Sequence, residues 1–147
     1  MKTMNKKSFI RKIALLLSVL SAVMLFVSCG GSEGNGKYEK YEVEIKEISI
    51  GSYYYTDCVI VVYTFTNNSE SNASFLTCFE DEVYQNGVAL GNYGGKNYTD
   101  YIKPGTTVDV IVNYPLNNAT GDIEIEICAD GEDKVILSET YSIPESE

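Results

Sequence analysis

From residue 41 onward, apolar and polar residues alternate along the chain with a period of two, the pattern of half-buried strands. In "YEVEIKEISI" (41–50), Val43 and Ile45 fall on one parity, Ile48 and Ile50 on the other. Strand side chains switch faces at every residue, so a parity change within one run predicts a β-bulge near Lys46–Glu47. "CVIVVYTFTN" (58–67) is apolar on both parities. It reads as a central strand whose bulkier set, Val59, Val61, Tyr63 and Phe65, faces the core. "FLTCFEDEVYQ" (75–85) reads as the next strand. Asn86–Gly87 then makes a hairpin turn before "VAL", since both residues tolerate the positive φ of a type I′ turn. "IKPGTTVDVIVNY" (102–114) begins at a Pro104–Gly105 type II turn and sets Val108, Val110 and Val112 on one side. "GDIEIEIC" (121–128) points Ile123, Ile125 and Ile127 inward and Glu124 and Glu126 outward, and "KVILSETYSI" (134–143) is the last strand. "GNYGGKNYTDY" (91–101) reads as a mobile, Tyr-rich loop, and no interior helix is expected. About seven short strands separated by turns predict an all-β fold, an antiparallel β-sandwich. About 100 residues suffice for its core without disulfides.

The N-terminal segment breaks the pattern. Five of the 11 basic residues (Lys2, Lys6, Lys7, Arg11 and Lys12) lie before residue 13, and all 21 acidic residues lie after residue 32. Ile13–Val27 is uncharged over 15 residues, short of the ~20 that a spanning helix needs. A basic start, a short apolar stretch and small residues at its end read as a secretory signal. "LFVSC" (25–29) resembles a bacterial lipobox, with Ser28 before the cysteine and Phe26 where Leu is usual. The resemblance implies cleavage after Ser28 and a diacylglyceryl thioether on Cys29, which becomes the mature N-terminus on the extracytoplasmic face of the cell membrane. Two acyl chains, such as those of diacylglycerol, hold a protein stably where one does so only marginally. "GGSEGNGKYEK" (30–40) is too polar and Gly-rich to bury a core and reads as a flexible tether of roughly 18 Å. The expected organisation is a signal peptide over 1–28, a tether over 29–40, the sandwich over 41–143 and a tail over 144–147.

Charge narrows the partners. From Cys29 onward six basic residues stand against 21 acidic ones, a net charge of −15. Such a surface repels nucleic acid and anionic lipid headgroups and keeps the chain soluble. The chain has no His and no Trp. Without His it cannot assemble a Ser-His-Asp or Cys-His site, or the usual His-containing zinc site. Twelve Tyr, with many Val, Ile and Thr, agree with the strand reading.

Four stretches, "VVYTFTNNSE" (61–70), "SFL" (74–76), "VYQNGV" (83–88) and "IKPGTTVDVIVNYPLNN" (102–118), resemble in that order a family of uncharacterised lipoproteins from Gram-positive bacteria. The likeness covers Tyr41 to Ile143 and extends to the lipid-anchored leader. Its most specific parts are the Thr66–Ser69 turn and the Pro104–Gly105 turn. The resemblance implies a telokin-like, immunoglobulin-like β-sandwich of unknown function, similar in outline to secreted immunoprotective antigens. It carries over no catalytic or binding residues.

Several residue sets remain to be weighed. Three cysteines follow Cys29: Cys58, Cys78 and Cys128. Cys58 shares parity with Ile60 and Val62, and Cys128 with Glu124 and Glu126, so both are expected to point outward on opposite sheets, where they cannot bridge. The Tyr that precedes the second immunoglobulin cysteine by two places is replaced by Glu126. Free thiols are therefore expected, and the wide spacing argues against a three-cysteine metal site. Glu80–Glu82 and Asp130–Asp133 are acidic runs that match no known calcium loop, so solvation of strand edges is expected. The outward Glu80, Glu82, Glu124 and Glu126 make a poor glycosidase pair. Asn67, Asn72, Asn97 and Asn118 open N-glycosylation sequons, which beside a bacterial leader are loop composition. Tyr53–Tyr55 are expected to pack at a strand end, whereas Tyr93, Tyr98 and Tyr101 form a candidate binding loop, since Tyr offers contact area at low entropy cost.

The expected function is a non-enzymatic, membrane-anchored binding or accessory module with no catalytic, cofactor or metal residues. Its partner is an envelope protein, peptide or glycan. The alternatives are a metal- or solute-capturing lipoprotein that uses the acidic loops, and a structural envelope spacer.

Overall fold

A computed structural model describes residues 35–143; the leader, Cys29 and the C-terminal tail lie outside the described residues. The strands are β1 (Asn35–Tyr38), β2 (Tyr41–Tyr53), β3 (Thr56–Asn67), β4 (Phe79–Gln85), β5 (Val88–Ala89), β6 (Thr106–Pro115), β7 (Gly121–Ala129) and β8 (Val135–Ile143). They form two four-stranded antiparallel sheets, ordered β1-β2-β3-β6 and β5-β4-β7-β8. The two sheets enclose one core, which makes the domain a β-sandwich.

Alternation places the core where the sequence predicts. Val59, Val61, Tyr63 and Phe65 of β3, Val110 and Val112 of β6, and Ile123, Ile125 and Ile127 of β7 are fully buried. Phe65, Phe75 and Phe79 meet at centroid distances of 5.6–6.1 Å, and Tyr63 stacks on Phe75 at 5.0 Å. The register of β2 against β3 shifts between Ile45 and Glu47, which is the expected bulge. The Asn86–Gly87 turn has φ of 52° and 76°, and Gly105 has φ of 71°, as their turn types require.

Three features differ from the sequence reading. The sheet begins at Asn35, so β1 occupies part of the segment expected to be tether. Gly36 explains this: a Cβ there would lie 3.1 Å from Leu137 and 3.2 Å from Ile136, so a glycine lets β1 pass close over β8. Phe75–Cys78 is one helical turn, α1, rather than strand. Ser74 caps it, its hydroxyl accepting from the Thr77 N–H while the Thr77 hydroxyl accepts from the Ser74 N–H. Residues 91–101, expected to be a mobile loop, are laid along the edge of β6. Asn113 and Ile111 donate to the Gly94 and Lys96 carbonyls, and Tyr93 donates to that of Asn113. Gly95 permits this approach, since a Cβ there would collide with the Ile111 carbonyl group.

Candidate functional site

The edge segment separates the three candidate tyrosines. Tyr93 lies at the end of the sandwich that carries the β2–β3 hairpin, its ring 6.4 Å from Tyr53. Tyr101 is exposed near the opposite end, beside the Ala73–Ile102 bridge. Tyr98 turns inward, packs 5.8 Å from Phe75 and donates to Asp81 at 2.7 Å. They do not form a joint binding loop, because pairing to β6 fixes the segment as an extended edge.

Asp81 is the polar centre of the molecule. Its position on β4 places it opposite the other sheet, where it accepts hydrogen bonds from Tyr98 and Tyr114 and from the Asn92 amide at 3.1 Å. Tyr114 and Tyr63 hydroxyls lie 3.1 Å apart, which carries the network to β3. Burial raises the Asp81 pKa, and the donors from Tyr114, Tyr98 and Asn92 pull it back only in part. Burial also raises the pKa values of Tyr63, Tyr114 and Tyr98, and the Asp81 charge adds to each. These hydroxyls therefore stay protonated and serve as donors.

Beside this network lies an open depression of about 450 Å³, lined by Leu76, Phe79, Glu80, Asp81, Glu82, Tyr98 and Asp130. Leu76 is half-exposed on α1, and Tyr98 is held in the wall by Asp81. β5 pairs with β4 only at Tyr84 and Gln85, so among the described residues no strand pairs along that side of Glu80–Glu82. The acidic run was visible in the sequence. Its neighbours Leu76 and Tyr98 are not, because the sequence predicts a strand at one and a loop at the other.

Tyr53–Tyr55 also depart from expectation. Tyr54 and Tyr55 form the two-residue turn between β2 and β3, both left-handed, with φ of 48° and 65°. Tyr54 is 80% exposed and Tyr55 fully so; the Tyr53 and Tyr54 rings meet edge-on at 4.5 Å, and Tyr53 also lies beside Tyr93. The left-handed turn leaves the Tyr55 ring fully exposed.

The cysteines are free, as expected, but Cys58, Cys78 and Cys128 are all buried. Parity places Cys58 on the outer face, yet its thiol turns to the hairpin backbone and donates to Thr56 O at 3.4 Å. Cys128 follows a register shift after Ile127. Burial raises all three thiol pKa values, which keeps them protonated and poorly nucleophilic. Among the described residues no group of three or more acidic or Cys side chains is arranged to hold a metal. Asn67 is more than loop composition. Fully buried, it donates to Ser71 O at 2.9 Å and Ile102 O at 2.8 Å, and it accepts from Ser69 N–H and hydroxyl. Asn97 donates to Asp109 O at 2.8 Å and helps hold the edge segment.

The family described as "Domain of unknown function (DUF5067)" matches residues 30–128 of the chain. No curated protein matches it. Among solved structures, the chain is similar to one described as a "putative lipoprotein from Staphylococcus aureus subsp. aureus NCTC 8325", with a TM-score of 0.62 and 17% identity over 77% of this chain and 90% of that one. That likeness supports the sandwich fold. A weaker likeness, with a TM-score of 0.39 and 19% identity over 79% of this chain and 100% of that one, is to a chain of the archaellum periplasmic stator complex FlaF and FlaG from Sulfolobus acidocaldarius.

Proposed function

The chain belongs to the DUF5067 family, a domain of unknown function, and from that premise we propose a non-enzymatic binding module held by lipid on Cys29 at the extracytoplasmic face of the cell membrane. Its sandwich is read as immunoglobulin-like of the telokin type. The carrying observation is the depression beside β4, where Leu76 and Tyr98 form an apolar wall and Glu80, Glu82 and Asp130 surround it with carboxylates. Beside an unpaired strand edge, this chemistry suits an extended cationic segment of an envelope protein, with main-chain pairing for affinity and charge for selectivity. The non-enzymatic reading is supported by the Asp81–tyrosine network, whose groups are engaged with one another, and by the protonated, buried thiols.

Two experiments test this reading. Fractionation should find the wild-type chain with membranes and Cys29→Ala in the soluble fraction; Cys29→Ala retained in membranes overturns the anchor. Titration of the mature protein with a lysine-rich extended peptide should give saturable binding, weakened at least tenfold by Glu80→Lys/Glu82→Lys. Unchanged binding removes the depression from the account.

A further inference from the structure

We propose that the depression beside β4 takes an arginine side chain of the bound segment, its guanidinium stacked on the Tyr98 ring and paired with the carboxylates around it. The inference rests on the binding-module reading and names the anchor that the segment inserts.

Strand register fixes which residue of the segment enters. Asp81 lies opposite Ile127 of the core, whereas Glu80 and Glu82 leave from the other face of β4. Leu90 donates to the Val83 carbonyl on the side of β4 away from β7. In an antiparallel ladder, main-chain groups two residues apart face the same side, so those of Asp81 face that side too. A segment pairing there sets one residue opposite Asp81. Cross-strand partners share a face, so this residue points in toward Asp81 and Tyr98, while its two neighbours lie on the face of Glu80 and Glu82. The pattern recognised is a central anchor between two cationic residues.

The charge in the depression lacks a counter-ion. Asp81 accepts from Tyr98, Tyr114 and Asn92, which are all neutral donors. The ion pairs among the described residues are Lys37–Glu42 and Lys46–Asp109, and no basic side chain lines the depression. A carboxylate removed from water is ordinarily paired with a cation. Asp81 is half-buried and unpaired, with Glu80, Glu82 and Asp130 around it, so the cation this site fits comes from outside the fold.

The walls decide which cation. Leu76 and the Tyr98 ring supply apolar surface, and Tyr98 is fixed in place before any ligand arrives. Its hydroxyl donates to Asp81 at 2.7 Å, its carbonyl accepts from the Leu76 N–H at 3.2 Å, and its ring packs 5.8 Å from Phe75. A guanidinium is planar and weakly hydrated, stacks on aromatic faces and spreads five donors over several carboxylates. An ammonium is a compact, strongly hydrated charge and gains less from such walls. Calcium asks for about six oxygens or more, and among the described residues no acidic group is arranged to hold a metal.

Calorimetry on the mature chain in non-ionic detergent tests this with three extended peptides. Each carries lysine on both sides of a central arginine, lysine or citrulline, the last an uncharged isostere of arginine. Expected is binding of the arginine peptide at least threefold tighter than the lysine peptide and at least tenfold tighter than the citrulline peptide. Tyr98→Phe, which keeps the ring, should retain the arginine preference, and Tyr98→Leu should abolish it. In the wild-type chain, which needs no variant to fold, nuclear Overhauser contacts should join the Tyr98 ring to the arginine δ-methylene. Equal binding of the arginine and lysine peptides, a preference that survives Tyr98→Leu, or a bound arginine without contact to the Tyr98 ring overturns the anchor and leaves the cationic-segment reading standing. No binding of any of the three overturns both.

Discussion

At the scale of single residues, Asp81 organises the interior. A buried carboxylate beside three hydroxyl or amide donors would ordinarily be drawn below its usual pKa, but burial outweighs those donors and the net direction is upward. The sign follows from linkage. The contribution of a raised carboxyl is fully present below its unfolded pKa and is lost as pH rises through its folded one. Asp81→Asn removes that loss. Its unfolding free energy relative to wild type should therefore improve as pH rises above the unfolded carboxyl pKa and level off above the folded one, as read from paired urea titrations. A pH-independent difference would contradict the raised pKa. The thiols allow a second residue-scale test. The mature, denatured and unreduced chain should give three free thiols, because Cys58, Cys78 and Cys128 are unpaired and the Cys29 sulfur is expected in a thioether. Finding one free thiol would mean that two of them pair. Neither the centrality of Asp81 nor the burial of the thiols was legible in the sequence. Parity tells which face a side chain leaves from, but it cannot tell what later folds over that face.

At the scale of elements, local signals succeeded where the turn chemistry is stereotyped and failed where a tertiary contact decides. The β2 bulge, the Asn86–Gly87 hairpin and the Gly105 turn were all readable. The Tyr54–Tyr55 turn was not, because neither residue favours the left-handed region that the two-residue connection forces on them. The double substitution Tyr54→Asn/Tyr55→Gly should stabilise the isolated fold by about 1–2 kcal/mol through relief of that strain, measured by chemical denaturation. A loss of stability would mean that the tyrosines pack in the fold. The β6–β7 connection depends on one side chain. Fully buried Gln85 donates to the Asn118 and Thr120 carbonyls and accepts from the Asn117 and Asn118 N–H groups. Gln85→Leu should cost about 2–4 kcal/mol, since it removes partners from several backbone groups at once. The edge segment is not legible in the sequence because glycines and polar residues look alike in a loop and in a segment laid close against a strand. Gly95→Ala should force it off β6 and accelerate hydrogen exchange at the Ile111 and Asn113 amides, which donate to it. Unchanged protection of those amides would contradict the close approach.

At the scale of the whole molecule, the sandwich is polarised. One end carries the exposed Tyr54–Tyr55 turn with Tyr53 and Tyr93, and the other carries Glu80, Glu82 and Asp130 around an open depression. The class of fold was legible because alternation is a property of each strand by itself. The polarity was not, because it depends on which loops the topology gathers at each end. Tyr93 and Tyr101 are close in sequence yet serve opposite ends, while Tyr53 and Tyr93 are distant in sequence and adjacent in space. The proposed membrane-held binding role depends on one covalent event at Cys29. Intact-mass and N-terminal peptide analysis of the protein recovered from membranes tests it most directly. The account predicts a mature chain that begins at Cys29 and carries a diacylglyceryl thioether. A mature chain that retains residues before Cys29, or begins there with an unmodified thiol, would contradict it.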